Sequence, residues 1–127
     1  RSRGLGDVYK RQLENDESWE VRRNAAIALE MHGDNSSSKS LSSAISDLHW
    51  QVRKFSMRAL TKVLSQEYLG EIVKLLCDDY SDVRKEAAIA LGLLGSKKAI
   101  PSLKQSLDDA DIEVRIQSQK ALEKLNV

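Results

Sequence analysis

The dipeptide Val-Arg occurs four times at a fixed spacing of 31 residues, at Val21-Arg22, Val52-Arg53, Val83-Arg84 and Val114-Arg115. Each copy carries an Asp five positions before the Val (Asp16, Asp47, Asp78, Asp109) and an Ala-Leu pair seven and eight positions after it (Ala28-Leu29, Ala59-Leu60, Ala90-Leu91, Ala121-Leu122). A period in this range marks a chain of small units that stack on copies of themselves, because one unit cannot bury its apolar faces alone.

The third copy is the most regular. Residues 68–76 hold Leu69, Ile72, Val73, Leu75 and Leu76 at helical spacing, which predicts a short first helix. Cys77 to Asp82 is polar and turn-forming, and residues 82–94 form a second helix with an inward stripe of Val83, Ala87, Ala90, Leu91 and Leu94. Gly95 stops it. The fourth copy predicts helices over 99–107, with Ile100, Leu103 and Leu107 inward and Pro101 in the opening turn, and over 113–125. The inward stripe of that second helix is Val114, Ser118, Ala121, Leu122 and Leu125, and Ser118 and Gln119 replace alanines of the third copy, a more polar helix that would suit a terminal cap facing water. In the second copy the Ser-rich 34–39 reads as a frayed linker before helices at 40–46 and 49–65. The first copy keeps a second helix, 18–31, ended by Gly33. The expected class is all-α, an α-α superhelix of about three and a half helix pairs, with units at 13–33 (partial), 34–64, 65–95 and 96–127.

Residues 2–12, Ser-Arg-Gly-Leu-Gly-Asp-Val-Tyr-Lys-Arg-Gln, resemble the translation of a transposase-type sequencing adapter. Residues 1–12 are therefore set aside from fold reasoning, and the rest is read as a fragment of a longer protein. The lost first helix of the first copy is expected to be imitated by adapter residues, with Tyr9 and Leu13 docking together. The segment carries four of the 20 basic residues and one of the 19 acids; the remaining 16 and 18 give a formal net charge of −2. The chain as a whole is formally +1, so its basic balance is no argument for nucleic-acid binding.

The chemistry-bearing residues are sparse. Cys77 is alone, which excludes an intrachain disulfide, and is expected to be a buried, inert thiol. His32 and His49 have no metal-ligand spacing, and no Gly-rich phosphate loop occurs. No cofactor or metal is expected, and no enzymatic activity. No apolar run is long enough to span a bilayer, and a cytoplasmic setting is the default. The repeated Asp and Arg residues suit a structural role, since an active site rarely recurs identically in every unit. Asp16, Arg22, Asp47, Arg53, Asp78, Arg84, Asp109 and Arg115 are expected to form a ladder of contacts between turns, each exposed pair worth about 0.2–1 kcal/mol.

Asp-(four residues)-Val-Arg followed by Ala-Ala-x-Ala-Leu-Gly-x-Leu-Gly resembles the HEAT repeat, especially the short HEAT-like variety of the phycobilisome bilin lyases. The stretch from Glu86 to Gly95 with Ala99-Ile100-Pro101-Ser102-Leu103 is closest to it. The recurrent proline is matched by Pro101 alone, Gly70 and Lys39 standing at the equivalent positions. The resemblance implies that second helices line a concave, partner-binding side. Its outward positions would be Arg23, Ile27 and Glu30; Lys54, Arg58 and Thr61; Lys85, Ile89 and Gly92; and Ile116, Lys120 and Glu123. Some HEAT-like hydroxylases hold iron through His-Glu pairs, and neither histidine here precedes a Glu. The resemblance is nearly mute on function. A non-catalytic protein-interaction scaffold comes first, with another protein as partner. An accessory subunit of a bilin-lyase-like enzyme is the alternative. Nucleic-acid binding through Arg23, Lys54, Arg58, Lys85 and Lys120 is opposed by the interspersed acids and the negative charge. Trp19 and Trp50, each two residues before a Val, read as turn-packing anchors.

Overall fold

The computed structural model describes residues 2–127, with side chains from Gly4 onward; Arg1, the first residue of the adapter-like segment, lies outside the described residues. Every regular element among the described residues is helical. The chain divides into two compact units, Arg1–Leu64 and Ser65–Val127.

The N-terminal unit holds α1 (Ser2–Asn15), α2 (Trp19–His32), α3 (Ser38–Ala44) and α4 (Trp50–Leu60). α1 lies against α2 and α3, α2 packs on α4, and α3 packs on α4. α1 thus occupies the place of a first helix; Leu13 is buried and Tyr9 half-buried, stacking toward His32 with ring centroids 6.5 Å apart. α2 starts where Ser18 Oγ accepts the Val21 N–H at 3.4 Å, and ends where the Gly33 N–H returns to the Leu29 carbonyl at 2.8 Å. Leu41, Ile45, Val52, Met57 and Leu60 are fully buried between the layers, each large aliphatic contributing about 1.5–3 kcal/mol.

Two expectations for this unit are corrected. The Ser-rich 34–39 is not frayed. Asp34 Oδ1 accepts the Ser36 N–H at 2.9 Å, Ser37 Oγ donates to the Asp34 carbonyl at 2.7 Å, and a 3-10 turn over Asn35–Ser37 leads into α3 two residues earlier than expected. Short polar side chains that weaken a helix interior are the ones that cap it. α4, in turn, stops at Leu60 and tightens into a 3-10 turn over Thr61–Val63 instead of running to 65. The Thr61 hydroxyl bonds the Arg58 carbonyl, competing with the backbone ladder.

The C-terminal unit holds α5 (Leu69–Lys74), α6 (Ser81–Leu94), α7 (Ile100–Ser106) and α8 (Ile112–Lys124). α6 packs on α8, with α5 against α6 and α7 against α8. α5 is six residues long and α7 seven. Helices this short are marginal alone and exist through tertiary packing. Ser65 and Ser96 cap the 3-10 turns that lead into them. Gly95 ends α6 in the left-handed region, φ 80°, where a side chain would be strained. Asp111 opens α8 by accepting the N–H groups of Glu113 (2.9 Å) and Val114 (3.2 Å). Ile72, Val83, Leu91, Leu103 and Val114 form the buried centre.

Here too the inward pattern needs revision. Ser106 is buried and Leu107 only half-buried. Ser118 keeps its expected place on the inward stripe: it is 0% exposed, like Ser56 at the equivalent place, because the fourth position after the Val points into the helix pair whatever residue occupies it. Cys77 is not buried. The first helix closes in a 3-10 turn over Leu75–Cys77, which leaves the thiol exposed.

Candidate functional site

The repeated Asp and Arg residues organise the turns that carry the second helices. Each Asp accepts the N–H two residues on: Asp16 from Ser18 (2.9 Å), Asp47 from His49 (2.9 Å), Asp78 from Tyr80 (3.0 Å) and Asp109 from Asp111 (2.9 Å). Each Arg donates through Nη1 to the carbonyl of the Asp in its own repeat, at 2.9 Å for Arg22, 2.8 Å for Arg53, 2.9 Å for Arg84 and 2.7 Å for Arg115. Within each unit the guanidinium also reaches the carboxylate of the following repeat. Arg22 bonds Asp47 by Nε–Oδ2 at 2.8 Å and Nη2–Oδ1 at 3.1 Å; Arg84 bonds Asp109 at 2.8 and 3.0 Å. These pairs are not the exposed contacts expected: side-chain exposure is 17% and 12% for the first and 17% and 10% for the second. The hydrogen bonds to Asp47 and Asp109 raise the pKa of Arg22 and Arg84, outweighing burial. Two-pronged charge-assisted bonds of this kind fix orientation as well as energy. The turns are scaffold, and the second helices they hold present the candidate face.

In the N-terminal unit the cations on that face are engaged. Arg23 donates to Gln51 Oε1 at 2.9 Å and lies over the Trp19 ring, 5.1 Å from its centroid. Trp19 stacks on His49 with centroids 3.6 Å apart and planes 5° from parallel, and His49 Nδ1 accepts the Gln51 N–H at 3.2 Å as the cap of α4. Arg58 pairs with Glu30 at 3.8 Å, and both Lys54 and Arg58 lie over Phe55. Ile27 is half-buried beside them. The tryptophan position was legible in the sequence; its histidine partner, one repeat away, was not.

In the C-terminal unit the face consists of two rows, one per helix. Lys85, Ile89 and Leu93 follow one another at four-residue steps on α6, and Ile116, Lys120 and Lys124 do so on α8. Residues four apart share a helix face. Gly92, expected to point outward, is instead buried against α8: a Cβ built on it would lie 3.0 Å from the Cα and Cβ of Ala121 and 3.4 Å from Lys124 Cδ. Beside this close approach lies a hollow of about 170 Å³, lined by Ile89, Gly92, Leu93, Gln117, Lys120, Ala121 and Lys124. Leu93 is 52% exposed and Ile116 39%. Sequence reasoning missed Leu93, Gln117 and Lys124. The signal was present, since extending each row by one further step of four from Ile89 and Lys120 reaches Leu93 and Lys124.

A larger hollow of about 570 Å³ lies elsewhere, between α1, α2 and the Asp34 turn, lined in part by Gly6, Asp7 and Lys10 of the adapter-like segment. Among the described residues no three His, Cys, Asp or Glu side chains gather as a metal site, and no helix is long and apolar enough to cross a membrane.

Comparison with known proteins bears on the fold and the family. A search of curated proteins gave no match. A crystal structure of an engineered protein, from the Northeast Structural Genomics Consortium, aligns with a TM-score of 0.74 and 26% identity over 97% of this chain. The chain spans 63% of that protein's length. The architecture is accordingly the all-α helical solenoid. The family model of HEAT repeats matches residues 38–123, which takes in α3 to α8 almost entirely. On that match the chain belongs to the HEAT-repeat family.

Proposed function

We propose that the chain is a non-catalytic protein-interaction scaffold whose second helices form the contact face. HEAT repeats commonly mediate such interactions. The observation that carries the reading is the composition of the outward rows. Arg23 and Ile27 on α2, Lys85 and Ile89 on α6, and Ile116 and Lys120 on α8 each set a cation beside an aliphatic that stays partly in solvent, and α4 adds the cations Lys54 and Arg58. A surface that alternates apolar anchors with charges suits a protein partner: the anchors supply burial, the charges register and approach rate. Rigidly held side chains also bind at a lower entropic cost than a loop would.

A display library of random peptides panned against the full chain tests this. Enriched peptides should protect α2, α4, α6 or α8 from hydrogen exchange. Protection confined to α1, α3, α5 or α7, or no enrichment, would end the proposal.

A further inference from the structure

We infer that the hollow between α6 and α8 takes one aliphatic side chain of an acidic peptide segment, with carboxylates flanking it. The inference rests on the interaction-scaffold reading and names the partner's chemistry at one place on that face. At about 170 Å³ the hollow is smaller than the roughly 300–1,000 Å³ of a small-molecule pocket, which leaves room for a single side chain. Its floor is made by the absence of one: Gly92 has only backbone and the Ala121 methyl beneath it. Ile89 and Leu93 form the apolar wall on α6, and the methylene stem of Lys124 crosses Gly92 on the other side. A lysine stem laid along apolar surface keeps its ammonium at the rim.

The charged side chains that line the hollow are of one sign. Lys120 and Lys124 line it, Lys85 lies one step along the α6 row, and none of the three has an ion-pair or hydrogen-bond partner among the described residues. No carboxylate lines the hollow. The nearest acid along α8, Glu123, bonds the Gln119 amide at 3.4 Å. Asp82 and Glu113 sit in the first turns of α6 and α8, about two turns from Ile89 and one turn from Gln117 along the helix axis, and Glu86, three residues before Ile89, is buried; none of them lines the hollow. The N-terminal unit differs on both counts: Arg58 is paired with Glu30 and Arg23 is held by Gln51 and Trp19. Cations uncommitted within the protein are those an acidic partner can use, and a like-charged partner would be repelled from them.

Peptides enriched from the random library are labelled with fluorescein and titrated by anisotropy against the full chain at two salt concentrations. The expected sequences carry a Leu, Ile, Val or Met flanked by Asp or Glu, and their affinity falls with salt. Binding should weaken at least about tenfold in the double variant Lys120→Glu/Lys124→Glu, whose sites are exposed. The milder Lys120→Gln/Lys124→Gln should weaken it less. Lys97→Glu/Lys98→Glu, in the exposed turn before α7 and off the second-helix face, should leave it unchanged. Enriched peptides without acidic flanks, or indifference to the Lys120/Lys124 variants, would overturn the inference. If binding instead falls only in a Lys54→Glu/Arg58→Glu variant, on the same face but away from the hollow, the interaction-scaffold reading survives and this assignment does not.

Discussion

Arg84 holds Asp109 with two parallel hydrogen bonds, at 2.8 and 3.0 Å, while its remaining nitrogen binds the Asp78 carbonyl at 2.9 Å. One guanidinium thereby closes the turn of its own repeat and grips the turn of the next. A lysine has neither the planar fork nor enough fixed donors to do both. Arg84→Lys should therefore destabilise the chain despite keeping the charge, by about 1–3 kcal/mol, the range for hydrogen bonds to charged groups. Urea unfolding followed by circular dichroism measures this. A midpoint equal to that of the parent would mean the fork contributes nothing.

Asp109 gives the same pair a pH dependence. Burial alone would raise its pKa. The hydrogen bonds from Arg84 and the Asp111 N–H, with the charges of Arg84 and Arg115, outweigh that and hold it below the ordinary carboxylate range. The unfolded chain therefore takes up the proton first as pH falls. The stabilisation is complete above the unfolded-state pKa of about 3.9 and is lost as pH drops through the lower folded value. Asp109→Asn should be less stable than the parent near neutrality, and the gap should narrow below about pH 4. Urea midpoints across pH would reveal it; a gap that widens in acid contradicts the assignment.

Ser56 and Ser118 are fully buried, and neither hydroxyl has a hydrogen-bond partner among the described residues. The equivalent positions elsewhere are Ala25 and Ala87. An unpaired buried hydroxyl carries a desolvation cost of about 1–3 kcal/mol. Ser56→Ala and Ser118→Ala should thus raise the melting temperature, singly and together. Calorimetry that finds either variant less stable would place an ordered water or an alternative partner on that hydroxyl.

Two glycines in helices should respond to alanine in opposite directions. Gly70, in α5, has open space where a Cβ would go, so Gly70→Ala should gain the roughly 1 kcal/mol of helix propensity. Gly92→Ala gains the same propensity but drives a methyl into the backbone of Ala121, and overpacking of that kind costs about 1–3 kcal/mol. The net result should be a loss. Thermal melts of the two variants side by side make the comparison.

The helical class, the repeat length and the stripe of Val, Ala and Leu were all legible because burial recurs with the sequence period. Val52, Val83 and Val114 are fully buried, while Val21 is half-buried. Errors fell where local polar chemistry decides: at the Asp34 turn, at the end of α4 by Thr61, and at Cys77, where a 3-10 turn rotated the thiol outward. On the candidate face the sequence ordered the rows but not their commitments. That Arg58 is paired and Lys120 is not depends on where Glu30 and Glu123 turn, which spacing alone does not encode.

The bond from Arg22 to Asp47 also bears on how the N-terminal unit comes apart. Opening the α3–α4 hairpin alone would strand a half-buried guanidinium on α2, and opening α2 alone would strand a carboxylate. Neither can leave without penalty to the other, so α2 and α4 should exchange their amide protons as one foldon with a shared opening free energy.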